Sequence, residues 1–152
     1  MPVEYRTGDL FAQPDIHALA HGCNTAGAMG KGIAVLFKDR WPKMHAEYRA
    51  RCADGRFTPG DVFVWEENGT TVFNLATEKH WRMGATVEAI SRSVTAMVRE
   101  AEARGITAVA LPRIGSGYGG LPWDVVRAEL ERIAASTAVK LVVVSLPPRP
   151  RT

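Results

Sequence analysis

The segment NLATEKHW, residues 74–81, sets Thr77, Glu78, Lys79, His80 and Trp81 in an unbroken row. A carboxylate can take a proton from water, an amine can attack an electrophilic carbon, and an imidazole can relay protons. The preceding run TTVFNLA (70–76) reads as a buried strand, which would hold this cluster at a strand end. An ordinary solvated turn has the same composition, so the residue types alone leave both readings open for Glu78 and Lys79.

Two glycine-rich stretches add a second kind of chemistry. In GSGYGG (115–120), Gly115, Gly117 and Gly120 fit GxGxxG, a spacing that lets backbone N–H groups converge on an anion near a helix N-terminus. A dinucleotide site is disfavoured against a phosphate loop of another kind, with a glycine-rich turn that holds no ligand as the remaining alternative. The motif lies near the C-terminus, and the next strand, KLVVVSL, ends in Ser145 and Leu146 without an acid to hold a ribose. NTAGAMGKGIAVLF (24–37) follows another apolar stretch and opens another helix. It fails the nucleotide-triphosphatase pattern, because Thr25 occupies the first glycine position and Gly32 follows Lys31 where a Ser or Thr would bind Mg²⁺. Two anion-binding turns at the carboxyl ends of strands suit a diphosphate. In GDLF (8–11), Asp9 either caps its own turn or accepts a hydrogen bond from an exocyclic amine at the far end of the crevice. No His/Cys/Asp cluster has ligand spacing, so neither a metal nor another cofactor is expected.

The elements that must position these groups are readable from periodicity. Strands are expected over 3–7, 16–22, 61–67, 70–76, 107–112 and 140–146, with Asn68-Gly69 marking a hairpin between the third and fourth. The runs TAVALP and KLVVVSL are continuously apolar, as in central strands covered on both faces. Helices are expected over 30–39, 43–53, 84–104 and 122–135. Pro42 separates the first two, Gly105 ends the third, and the fourth starts with Pro122 in its first turn. The third carries Val87, Ile90, Val94, Met97, Val98 and Ala101 on one stripe, and the fourth turns Val125, Val126, Leu130 and Ile133 inward. Strands alternating with helices, plus one hairpin, imply a single α/β domain with a mixed sheet and helices on both faces.

Composition narrows the setting. A chain of 152 residues, 46% hydrophobic and 23% charged, fits one globular domain. No apolar run approaches the roughly 18 residues that span a bilayer, and MPVEYRTGDL has no signal-peptide profile, so a cytoplasmic protein without membrane contact is expected. Cys23 and Cys52 lack CxxC spacing and read as reduced thiols. A formal charge of +3 is a mild basic bias that suits an anionic ligand. No apolar stripe is left over once the core is assigned, so a monomer is expected.

In order along the chain, GDLF, N-x(4)-MGKGIA and PRIGSGYGGL together resemble a macrodomain, the ADP-ribose-binding fold. The likeness runs from about residue 7 to 146 and is nearest to the branch containing the terminal ADP-ribose protein glycohydrolase and the DNA ADP-ribosyl glycohydrolase antitoxins. It implies a three-layer α/β/α sandwich. It also implies roles: Asp9 and the Leu10 backbone hold the adenine, and Asn24 sits at the distal ribose. Met29, Gly30, Lys31, Gly32, Ile33 and Ala34 wrap the diphosphate and distal ribose. Pro112, Ile114, Gly115, Ser116, Gly117, Tyr118, Gly119 and Gly120 form the second phosphate loop, with Tyr118 against the distal ribose. Thr77, Glu78, Lys79 and His80 border the reacting carbon.

The chain departs from that pattern twice. Hydrolases of this branch usually carry a lysine directly after the threonine that ends the strand; here Glu78 follows Thr77, and Lys79 comes one place later. Along an extended chain, that shift turns a side chain to the opposite face. Protein-directed members carry an aspartate in the second glycine loop, where this chain has Gly119, as DNA-directed members tend to. HWR (80–82) also resembles the DNA-directed members; Trp81 or His80 could stack on a base, with a buried aromatic as the alternative. The resemblance implies an enzyme that removes mono-ADP-ribose from acidic protein side chains or from thymine in DNA. Asn24 would orient the ribose, with Glu78 as base and Lys79 as nucleophile or electrostatic partner. The alternatives are a non-catalytic ADP-ribose reader and an ADP-ribose 1″-phosphate phosphatase. Readers usually come attached to other domains, and the chain ends where the fold ends, which favours the enzyme.

Overall fold

The structure, a computed structural model, describes residues 2–117 and 119–147. Its sheet grows from the hairpin. Asn68 and Gly69 both take positive φ, 50° and 80°, the twist a two-residue hairpin requires. They join β3 (Val62–Glu67) to β4 (Thr70–Glu78) as an antiparallel pair, while β1 (Glu4–Thr7), β2 (Ala18–Asn24), β5 (Ala108–Leu111) and β6 (Lys140–Ser145) pair in parallel. The order β1-β6-β5-β2-β4-β3 puts β2 and β5 in the middle, with the antiparallel strand at an edge.

Alternation along the strands feeds two apolar clusters, one on each face of the sheet. On one side Ala18, Ala20, Phe73, Leu75, Leu111 and Leu141 pack under α3 (Val87–Ala103) and α4 (Trp123–Ala134). On the other, Leu19, Cys23, Val72, Ala76 and Val142 pack under α1 (Ile33–Arg40) and α2 (Pro42–Ala53), which contribute Phe37, Met44 and Tyr48. The result is the expected three-layer mixed sandwich. Leu75 and Leu130 are fully buried, and truncating either to Ala would cost about 3 kcal/mol.

Local chemistry sets the helix ends. The Thr86 side chain accepts the Ala89 N–H at 3.1 Å and starts α3; Gly105, at φ +71°, ends it. Pro42 opens α2 at its first position, where no N–H is needed. The first helix starts at Ile33 rather than residue 30, because Gly32 takes φ +61°. In α4 the inward stripe is Val126, Leu130, Ile133 and Ala134; Val125, expected inward, falls off its edge and is 43% exposed.

A buried polar contact ties the strands below their carboxyl ends. His21 stacks on Phe37 at 3.9 Å and makes a 2.7 Å hydrogen bond to Asn74 Oδ1, and Asn74 Nδ2 donates to the Phe63 carbonyl. Burial pushes the His21 imidazole down to about 4, so the neutral ring donates this hydrogen bond. That stability is full above the usual histidine value and declines as pH falls through it. Among the described residues, no helix is long and apolar enough to cross a membrane.

Candidate functional site

The carboxyl ends of β2, β4 and β5 lie side by side, and a cleft of about 470 Å³ opens there. From the first glycine stretch its wall takes Asn24, Met29, Gly30, Lys31, Gly32, Ile33 and Ala34. From the end of β4 it takes Thr77 and Glu78, and from the second stretch Pro112, Ile114, Gly115, Gly117 and Gly119. The two glycine stretches thus face each other across the strand ends.

The strand carrying the TEKHW cluster runs further than its apolar residues suggest. β4 continues through Thr77 and Glu78, so these two are strand residues and not a turn. A bulge interrupts its pairing with β2: Cys23 faces Ala76, but Asn24 faces Glu78. Thr77 is the extra residue, buried beside Gly22, where an added Cβ would meet its hydroxyl at 2.9 Å. Asn24 and Glu78, far apart in sequence, become register partners at the cleft floor.

Their environments differ. Asn24 Oδ1 accepts the N–H groups of Ala26 (3.1 Å) and Ala28 (3.2 Å) and the Tyr48 hydroxyl (2.8 Å). Its Nδ2 donates to the Ala28 carbonyl at 2.8 Å, which leaves one amide N–H over. Glu78 is half-buried, and its Oε2 is enclosed without a hydrogen-bond partner. Burial raises its carboxyl above the ordinary range. A raised, unpaired carboxyl on a cleft floor is placed to exchange a proton with a bound water.

The glycine stretches present backbone groups suited to an anion. The first turn of α1 has no side-chain cap, so its amides face the cleft end without a local acceptor side chain. In the second stretch, the Leu121 N–H closes on the Gly115 carbonyl at 2.9 Å, and Gly119 has no room for a side chain: a Cβ there would lie 2.6 Å from the Gly115 oxygen. The absence of aspartate at this position is therefore built into the backbone of the loop. Tyr118 lies outside the described residues.

Several expected residues stand away from the cleft. Lys79 is exposed and absent from its wall; its carbonyl receives the Thr25 hydroxyl at 3.1 Å. Because β4 stays extended to Glu78, the one-residue shift does change the face presented. His80 does not line the wall either and stacks on Trp81. The Ser116 hydroxyl donates to the Arg113 carbonyl, and Gly120 is exposed. Asp9 Oδ1 accepts the Phe11 N–H at 2.8 Å, the turn-capping arrangement, and neither Asp9 nor buried Leu10 borders this cleft.

The wall also contains Gly22, Cys23, Ala28, Trp81 and Arg113, none of which was in the expected ligand set. Arg113 had a signal, lying inside PRIGSG between two expected contacts; its guanidinium is held by Ser145 at 3.0 Å and lies 5.2 Å from the Trp123 ring centroid. Trp81 is 43% exposed, which removes the buried-aromatic alternative. Among the described residues, no group of His, Cys, Asp and Glu could hold a metal ion.

This geometry has close counterparts. A DNA ADP-ribosyl glycohydrolase of Mycobacterium tuberculosis is 36% identical over 132 residues, which cover 84% of this chain and 37% of that protein. The chain thus spans little more than a third of that relative's length. The human ADP-ribose glycohydrolase OARD1 is 33% identical over 144 residues, 95% of this chain and 91% of its own. The solved macrodomain of Mycobacterium tuberculosis DarG superposes with a TM-score of 0.86 at 33% identity, covering 97% of this chain and 98% of that one. The Macro domain family model matches residues 20–130, the span holding both glycine stretches and the Asn24–Glu78 pair, and the chain belongs to the macrodomain family.

Proposed function

We propose that this chain binds ADP-ribose in the cleft and hydrolyses the bond joining it to a macromolecule, with ADP-ribosylated thymine in DNA as the favoured substrate. The observation that carries this reading is the enclosed, unpaired Glu78 carboxyl beside Asn24, between two glycine stretches suited to a diphosphate. Backbone amides and Arg113 hold the diphosphate, and the remaining Asn24 N–H orients the distal ribose. Glu78 takes a proton from a water whose oxygen attacks the anomeric carbon. The carbon–nitrogen bond breaks through an oxocarbenium-like state, and the departing base keeps the electron pair and is then protonated. Burial raises this carboxyl, which makes its deprotonated form a stronger base toward the water. Lys79, exposed and outside the cleft, takes no part in the bond change.

The DNA preference is supported by the name of the mycobacterial relative and by the lack of room for an aspartate at Gly119. We further take the protein to act in the cytoplasm as a monomer without membrane contact. A second reading, a reader that binds without hydrolysis, is supported by Lys79 standing outside the cleft wall. The test incubates the protein with a thymine-ADP-ribosylated oligonucleotide and, separately, a glutamate-ADP-ribosylated protein, while calorimetry measures ADP-ribose binding. Release from the oligonucleotide is expected. Binding without release from either substrate would replace the enzyme by the reader, and absence of binding would remove both.

A further inference from the structure

The loop 79–84, KHWRMG, has no part in the hydrolytic chemistry above, yet it is firmly built. At its base Glu78 bridges to Ala85, and the Thr86 N–H donates to the Thr77 carbonyl. It is also tied to both glycine stretches. The Thr25 N–H reaches the Glu78 carbonyl at 3.0 Å, and the Ala85 N–H reaches the Gly119 carbonyl at 2.8 Å. Gly84 abuts that same carbonyl, 2.7 Å from where a Cβ would stand.

What this frame holds up is an exposed aromatic. His80 and Trp81 stack with ring centroids 3.7 Å apart. The Arg82 backbone N–H donates to His80 Nδ1 at 3.1 Å, so a neutral His80 ring carries its proton on Nε2 and its orientation is set. One face of the indole is covered by this imidazole, and Trp81 is still 43% exposed. Neither Trp81 nor Met83, which is 69% exposed, packs into either core cluster, so burial does not explain the pair. Lys79 and Arg82 flank it in the chain, both exposed and, among the described residues, in no ion pair, whereas Arg104 at the end of α3 and Arg132 on α4 pair with acids. A preorganised aromatic face with an exposed cation before and after it in the chain matches a nucleobase with phosphates on either side.

We infer that loop 79–84 is a docking platform for a single-stranded polynucleotide: a base at the cleft mouth stacks on Trp81, and Lys79 and Arg82 take the adjoining phosphates. This deepens the proposed function, because it assigns the residues that select the polymer, and it rests on that reading only for what lies in the cleft. Unmodified strand should bind the platform without ADP-ribose.

The test uses a fluorescein-labelled thymidine octanucleotide carrying no ADP-ribose, followed by anisotropy at low salt. Wild type, Trp81→Ala, Trp81→Phe and Arg82→Ala are compared, with ADP-ribose affinity measured in parallel by calorimetry. Trp81→Ala should weaken the octanucleotide about tenfold, and by more than it weakens ADP-ribose, with Trp81→Phe recovering most of the loss. Arg82→Ala should lower the salt slope by about one unit. Equal octanucleotide affinity in wild type and Trp81→Ala overturns the platform, as does an equal loss on both ligands. So does a loss confined to an acidic peptide assayed in its place. If ADP-ribose itself is not bound, the proposed function fails, and the platform is still judged on the octanucleotide.

Discussion

Two neighbouring strand ends in this protein treat polar groups in opposite ways. At the end of β2, the Asn24 side chain makes four hydrogen bonds and fastens the turn through residue 28 to Tyr48. One register step across the sheet, at the end of β4, Glu78 keeps an oxygen enclosed and unpaired. Satisfied polar groups in a low-dielectric setting rigidify a turn, while an unsatisfied one is destabilised and reactive. Under the proposed function, the first end is the rigid support for the distal ribose, and the second carries a standing cost that suits a catalytic base.

The sharpest way to break this contrast is Glu78→Gln. Turnover of the thymine-ADP-ribosylated oligonucleotide should fall by about two orders of magnitude while ADP-ribose affinity holds. Release assays and calorimetry on the same preparation check it, and retained turnover would make Glu78 a bystander. The pH profile sharpens the point. A base must be deprotonated, and burial raises this carboxyl, so the acidic limb of kcat/KM should lie above the usual carboxylate range.

Next in size is Asn24→Ala. It leaves the Ala26 and Ala28 N–H groups without their acceptor, while the Tyr48 hydroxyl keeps the backbone carbonyl of residue 24 at 2.8 Å, and should cost about 2 kcal/mol. Urea denaturation with an unchanged slope would measure it, and a loss near zero would mean the turn is held by other contacts.

Smaller, and opposite in sign, is the effect of Glu78→Gln on stability. A carboxyl raised on folding favours the folded state fully only below its unfolded value, and that contribution is lost as pH rises through the folded value. The variant should therefore be more stable than wild type at pH 7, with the difference shrinking toward pH 4. His21 titrates alike in both proteins, so thermal melts across this range isolate Glu78. A variant less stable than wild type at pH 7 would show that the carboxylate is held by a favourable contact.

Smallest is Lys79→Ala, expected to stay within about twofold of wild type on a single thymidine nucleotide carrying ADP-ribose, which has no adjoining phosphates for this side chain to hold, because the side chain lies outside the cleft. A hundredfold loss of kcat there would put the lysine back at the reacting carbon.

Much of this was legible in the chain before folding. The hairpin at Asn68-Gly69, the amphipathic stripe of α3 and the buried β5 and β6 are local patterns, and local patterns carry their own periodicity and turn chemistry. Both glycine stretches were legible for the same reason: a glycine run after an apolar strand has few other uses. Val125 was misplaced because one step along a helix rotates a residue by about 100°, and only the packed neighbours say where the stripe ends. The sequence by itself thus determined the elements, the glycine turns and the family. Tertiary structure alone decided that Glu78 and not Lys79 faces the cleft, that Asn24 meets Glu78 across a bulge at Thr77, and that Gly119 has no room for a side chain. Each of these depends on register or close approach between segments distant in the chain, which no local residue pattern encodes.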